Sequence, residues 1–243
     1  MRSREYLGLL LVLATLSGGC SSRDQRRVEN PLNQLRKGEY LREDYIHALC
    51  DTLSPLKATR HDTDPQLIVL DADQDGVYLM PIHNFHEGDV PHRVSPEGRL
   101  QRILSDPNRV TDTDLSFSAH GAASFSLMKG SSELSFRFVG DAERWVSDSV
   151  IAGTYQDATG KKYMFDTNGQ AALPDGRRFD YMLATDHVLT RYDYIYSKKL
   201  GVTWMVKVSP SALALYETAG DIGETVSPRP KWQLTRLTSP ACK

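Results

Sequence analysis

The chain predicts a mainly β protein: antiparallel sheets forming a sandwich or small barrels, with one N-terminal helix. Three observations carry this. From Gln66 onward, apolar residues recur at period 2 instead of 3.6. Serines fill many of the alternate positions, which marks antiparallel strands with one wet face. From about Trp145 the apolar runs shorten and turn signals crowd between them, the pattern of a meander, sandwich or small barrel.

The first segment is not part of that fold. Arg2 and Arg4 give a positive start diluted by Glu5, and Leu7 to Leu16 is a ten-residue apolar run. Such a run is too short to span a bilayer and suits the core of an export signal. Ser17-Gly18-Gly19 then leads to Cys20. This resembles the lipobox of bacterial lipoproteins, although Ser17 stands where that family usually has Leu, with Leu16 one place further back. The resemblance implies removal of residues 1–19, acylation of Cys20, and a lipid-anchored mature protein in the bacterial envelope. Ordinary signal cleavage would instead leave Cys20 as a free thiol. In enteric-type lipoproteins Asp after the cysteine holds the protein in the inner membrane. Ser21 at that place implies the outer membrane, facing the periplasm.

Residues 20–39 are polar, charged and without periodic apolar positions, and read as a lipidated tether. A flexible chain of that length has a typical span of about 20–25 Å. Between Tyr40 and Leu53, Leu41, Tyr45, Ile46, Leu49, Cys50 and Leu53 share one face at helical spacing, and Ser54-Pro55 ends the helix. Gln66–Leu70 and Val77–Ile82 then read as strands flanking an acidic turn. Leu115/Phe117/Ala119, Ala123/Phe125/Leu127 and Leu134/Phe136/Phe138 alternate with polar residues, and Lys129-Gly130-Ser131-Ser132 reads as a hairpin turn. These elements make residues 40–144 a helix plus a first β region. Residues 145–243 form a second, either separate or continuous with the first. Its turns are marked by Asp157–Gly160, Thr167-Asn168-Gly169, Pro174-Asp175-Gly176 and Lys199-Leu200-Gly201. The opening from Gly153, G-T-Y-x-D-x-x-G-x-x-Y-x-F, loosely resembles the lipocalin-like barrels of small bacterial lipoproteins. That resemblance covers about residues 150–217 and implies a β meander but no catalytic residues.

Charge is nearly balanced, with 29 basic and 31 acidic residues, which argues against a nucleic-acid partner. With Cys20 assigned to the anchor, Cys50 and Cys242 are an even pair in an oxidising compartment and are expected to form a disulfide; two buried reduced thiols are the alternative.

Candidate sites are sparse. Asp71, Asp73 and Asp75 with Gly76 match the first half of an EF-hand loop, but Ile82 stands at the closing position, where a bidentate Glu belongs. An acidic hairpin turn accounts for them with fewer assumptions. His83, His86, Glu87, Asp89 and His92 form the densest cluster of metal-capable side chains, yet their spacing matches no zincin, and Gly88 and Pro91 place them on a loop. Ser54-x-x-Lys57 and Ser126-x-x-Lys129 have the spacing of penicillin-binding serine acylases without the companion motifs. Tyr192, Tyr194 and Tyr196 would share one sheet face near Tyr181 and Trp204, as a ligand surface or as packing. The expected activity is therefore non-enzymatic binding of an envelope protein or ligand, with no cofactor. The alternatives are an inhibitor or immunity protein against a toxin or hydrolase, and a metal-dependent hydrolase using His83, His86 and His92 with Glu87 as base.

Overall fold

A computed structural model describes residues 30–59, 64–73, 76–83, 85, 87–104, 110–186, 191–219, 225–238 and 242. The protein consists of two barrel-like antiparallel sheets with helices packed between them. Among the described residues, no helix is long and apolar enough to cross a membrane.

The first sheet comprises β1 (Gly38–Arg42), β2 (Leu67–Asp73), β3 (Gly76–His83), β4 (Glu87–Gly88), β5 (His92–Val94), β6 (Arg99–Ile103), β7 (Val110–Ala119), β8 (Ser124–Lys129) and β9 (Ser132–Gly140). Its order is β2-β1-β9-β8-β7-β6-β5-β3-β4, and β2 also pairs with β3 from Leu67↔Ile82 to Asp73↔Gly76. That pairing closes the sheet into a ring and leaves β4 as a spur on β3. The inward residues form a dry core that includes Tyr40, Leu70, Leu79, Leu100, Phe117, Phe125 and Phe136. Phe125 sits at its centre, stacked on Phe136 at 5.1 Å and flanked by Tyr40 at 5.1 Å and Phe117 at 5.3 Å. Across the outer face, Ser118, Ser126 and Ser135 lie side by side, Ser118 exposed and Ser126 covered by His120 and Glu133.

One end of this ring is shut. A 3-10 turn, Pro31–Gln34, is capped by the Asn30 side chain and inserts Leu32 and Leu35 into the core. The Arg36 N–H then donates to the Ala122 carbonyl in the β7–β8 turn. Residues 30–39, expected in the tether, are therefore folded. Two leucines in a polar run sufficed, because the barrel supplies the apolar partners that the segment itself lacks.

The predicted helix is shorter than expected. Tyr40 and Leu41 lie in β1, and α1 runs Glu43–Thr52, burying Tyr45, Ile46 and Leu49. Leu53 leaves the helix in the left-handed region at φ 50°, and Ser54 caps a second short helix, α2 (Pro55–Ala58). A third helix, α3 (Ala142–Val150), falls across the expected boundary at 144/145, where only strands were foreseen. The Asp141 side chain accepts from the Arg144 N–H and Glu39 accepts from the Ala142 N–H at 2.6 Å, so two carboxylates satisfy amides that a helix start leaves open.

The second sheet comprises β10 (Gly153–Gln156), β11 (Lys162–Phe165), β12 (Gln170–Ala172), β13 (Arg178–Asp180), β14 (Met182–Leu183), β15 (Tyr194–Ser197), β16 (Val202–Ser209), β17 (Ala212–Ala219), β18 (Thr225–Val226) and β19 (Trp232–Arg236). Its order is β13-β12-β11-β10-β19-β17-β16-β15-β14, with β18 on β17. The two edge strands are separated only by Tyr181, so the sheet curls round until its ends meet. Side chains span the seam. Arg144 donates to the Tyr181 carbonyl at 3.0 Å, the Leu183 N–H donates to Ser147 at 2.9 Å, and Asp180 accepts from Ser197 at 2.7 Å. Arg144 lies so close to Gly169 that a Cβ there would overlap its guanidinium, and the φ of +71° at Gly169 suits only a residue without one.

Helices α1 and α3 belong to the core of the second sheet. Tyr45, Leu49, Val146 and Val150 pack with Tyr155, Phe165, Ile195 and Leu234, while Leu41 and Leu67 reach the same core from the outer face of the first barrel. Both faces of β1 are thus buried, Tyr40 inward and Leu41 towards the helices. Cys50 on α1 is bonded to Cys242, with Cα atoms 5.1 Å apart, tying the helix layer to the chain beyond β19.

Candidate functional site

Among the described residues, the end of the first barrel opposite the 3-10 turn is open. The barrel strands run to it from the sealed end, and their inward positions change there from apolar to polar. The last cross-strand pair of inward residues is His92↔Arg102, one step beyond Val94↔Leu100. The resulting cleft, about 310 Å³, is lined by residues on or next to β2, β3, β5, β6, β7, β8 and β9, including His83, Asp89, His92, Arg102, Asp112, Asp114 and Lys129, with Asp64 at its edge.

His92 is the deepest polar group of this mouth, only 3% exposed. Its Nδ1 is buried and has no hydrogen-bond partner among the described residues. Burial pushes its pKa below the ordinary histidine value, opposed by Asp89 and by a backbone hydrogen bond at Val90. The ring is therefore neutral at pH 7. Burial also works against the Asp89 carboxylate, but the Val90 N–H and the Arg102 guanidinium, at 2.7 Å, together hold it below the usual range. A second pair, Lys129–Asp64 at 3.2 Å, stands on the far side. Asp112 accepts from Gln101 at 2.7 Å. The arrangement offers carboxylates, two matched cations and a neutral imidazole within one concave surface, which suits recognition of a polar ligand.

The fold brings part of the histidine cluster together, with Asp89 between His83 and His92 in the lining. His83 and His92 line the mouth, Glu87 is exposed on β4 in register with His83, and His86 lies outside the described residues. No three His, Cys, Asp or Glu side chains converge as metal ligands among the described residues. Asp71 and Asp73 lie in β2, with Asp71 paired to Tyr78 and Asp73 to Gly76, while Asp75 falls outside the described residues. The EF-hand-like stretch is thus a tight hairpin at the sealed end, between strands and not helices.

Neither Ser-x-x-Lys match forms an acylase pair. The Ser54 hydroxyl donates to Asp193, which also accepts from the Leu56 N–H at 2.9 Å, so the serine caps α2 and fastens it to the second barrel. Ser126 and Lys129, three apart on β8, have strand positions of opposite parity. Ser126 is instead bridged to His120 at 2.8 Å and Glu133 at 2.5 Å on the outer face, where it is 1% exposed.

Tyr194 and Tyr196 lie on the outer face of the second sheet, half-buried and cross-strand from Met205 and Thr203, while Tyr192 is exposed ahead of β15. Burial raises both pKa values, with Glu143 of α3 adding to each shift. Trp204 and Tyr181 belong to the inner core, so the expected cluster with the tyrosine row is not formed. Sequence reasoning missed Arg102, Lys129, Asp64 and Asp112 as lining residues of the cleft that holds His92. Their separation along the chain hides them, and only Arg102 on β6 and Lys129 on β8 carried a signal, inward strand parity at one barrel end. No protein-family model, curated protein or solved structure matches this chain.

Proposed function

We propose that the protein is a lipid-anchored lipoprotein of the bacterial envelope, held by Cys20 in the outer membrane and facing the periplasm. It acts by binding a partner or ligand at the mouth of the first barrel, not by catalysis. The observation that carries the binding half is the polar cleft closing on buried His92 at one end of a barrel whose other end is sealed. The anchor half is supported by the apolar run ending in Gly19-Cys20 and by the polar stretch that follows. Ser54 and Ser126, which have the acylase spacing in the sequence, are engaged in a helix cap and a cross-strand bridge.

Membrane partition tests the anchor. Wild-type protein is expected in the detergent phase with the added mass of acyl chains, and Cys20→Ala as an unacylated precursor or soluble periplasmic form. Wild-type protein free in the periplasm without that mass contradicts the reading.

A further inference from the structure

We infer that the second barrel carries a binding site of its own, a cleft at the end opposite its helices that takes the ring of an uncharged saccharide. The strand registers define the two ends. The hairpins closed at Gln156↔Lys162, Ala172↔Arg178 and Ser197↔Val202 all turn at one end. Helices α1 and α3 cover the other, packing with Tyr155, Phe165 and Ile195. Inside the turn end, four rings form a layer across the bore. Phe179 lies 5.4 Å from Trp204 and stacks on Trp232 at 6.2 Å, while Trp232 meets Trp204 at 5.6 Å and Tyr163 at 6.3 Å. Tyr163, Phe179 and Trp204 are buried, whereas Trp232 stays partly exposed. An indole held partly in water at an uncovered barrel end is a contact surface for something else.

A cleft of about 310 Å³ opens on this layer, walled by Tyr163, Leu173, Pro174 and Trp232 and edged by Lys161, Asp175 and Arg177. It shares no lining residue with the cleft of the first barrel. Three features select its ligand. The ring layer fills the bore, so an alkyl chain finds no depth to enter. The ion pairs beside it are already made: Arg177 donates to Asp175 at 2.7 Å, and Lys231, 5.6 Å from the Trp232 centroid, donates to Glu217 at 2.6 Å. An ionic ligand would have to displace one of these partners, whereas a neutral one hydrogen-bonds to them as they stand. Lastly, an aromatic face carries negative charge and draws polarised C–H groups, while the edge supplies a carboxylate acceptor and guanidinium and ammonium donors. A pyranose ring presents a C–H face and a rim of hydroxyls that both donate and accept, and so matches floor and edge at once.

The test uses residues 20–243 with the disulfide intact and chitotriose as probe, an uncharged saccharide whose equatorial substituents leave the ring faces lined by C–H groups. Titration is expected to show saturable binding, and saturation-transfer NMR the strongest transfer to the C–H protons of one ring face. Trp232→Phe keeps a ring in the layer and should weaken binding by about fivefold, the loss of part of one stacking contact. Arg177→Ala removes an exposed donor outside the core. It should weaken binding by about threefold, with unchanged thermal unfolding and the same face pattern of transfer. Should Trp232→Phe fail to fold, Arg177→Ala decides alone. Neither octanoate nor adenosine is expected to displace the sugar. Absence of saturable binding, or unchanged affinity in either folded variant, overturns the site. Displacement by octanoate or by adenosine overturns the saccharide assignment in favour of an alkyl chain or a planar base.

Discussion

Replacing both Cys50 and Cys242 by Ser is expected to lower global stability by about 2–5 kcal/mol, the usual effect of removing a long-loop disulfide. The two residues are 192 apart in the chain, so the bond closes most of the chain into one loop. The chain-entropy model places the upper end near 5 kcal/mol, and any structure left in the unfolded chain reduces it. The loss is not expected to be uniform. Cys50 lies on α1, whose buried residues Tyr45, Ile46 and Leu49 still pack against the second sheet, whereas Cys242 follows a strand that ends at Arg236. The stretch beyond β19 should therefore open first, then α1, and the sheets last. Hydrogen exchange with and without reductant checks this order. Unchanged protection of α1, together with an unchanged denaturation midpoint, would contradict the coupling of the helix layer to the chain end.

Phe125→Ala should cost about 3–5 kcal/mol, because truncating a buried ring leaves a cavity that its surroundings fill only in part. Phe125 is fully buried and touches Tyr40, Phe117 and Phe136, the rings around which the first barrel closes. The three tryptophans supply a local reading. Trp145 is in α3, Trp204 in β16 and Trp232 in β19, so none lies in the first barrel. Far-ultraviolet dichroism is expected to register the loss at lower denaturant than tryptophan fluorescence does. A shift below about 1 kcal/mol would mean that the ring cluster is not the core of the barrel.

The strands were legible where one face is wet. In β7, β8 and β9 the apolar residues turn inward onto Phe125 and the serines turn outward, so period 2 survives in the sequence. In β1 it does not survive, because Tyr40 fills the barrel while Leu41 fills the helix layer; two adjacent buried residues extend the helical stripe of α1 on paper. Helix α3 carried readable start signals, Asp141 and Glu143, yet it is short and sits between strands, and the apolar run around Trp145 and Val146 resembled more sheet. The mouth was the least legible feature. Asp64 and Lys129 are 65 residues apart and meet only because β2 and β8 end at the same rim. Part of the compact histidine cluster does meet at this rim, because β3 and β5 carry His83 and His92 to the same end of the barrel.

Under the proposed anchor at Cys20, ten residues before the described fold begins at Asn30 beside the sealed end, that end lies nearest the bilayer, and depth measurement by fluorescence quenching reads this directly. Ala122, in the turn at the sealed end, and Ser131, in the β8–β9 turn at the mouth, are both exposed. Each can carry a single fluorophore through substitution to cysteine in the acylated protein on vesicles with headgroup-labelled quencher lipid. Strong quenching at 122 and weak quenching at 131 is the expected result. Equal quenching at both positions, or the reverse order, would contradict a barrel that stands on its sealed end and opens to the periplasm.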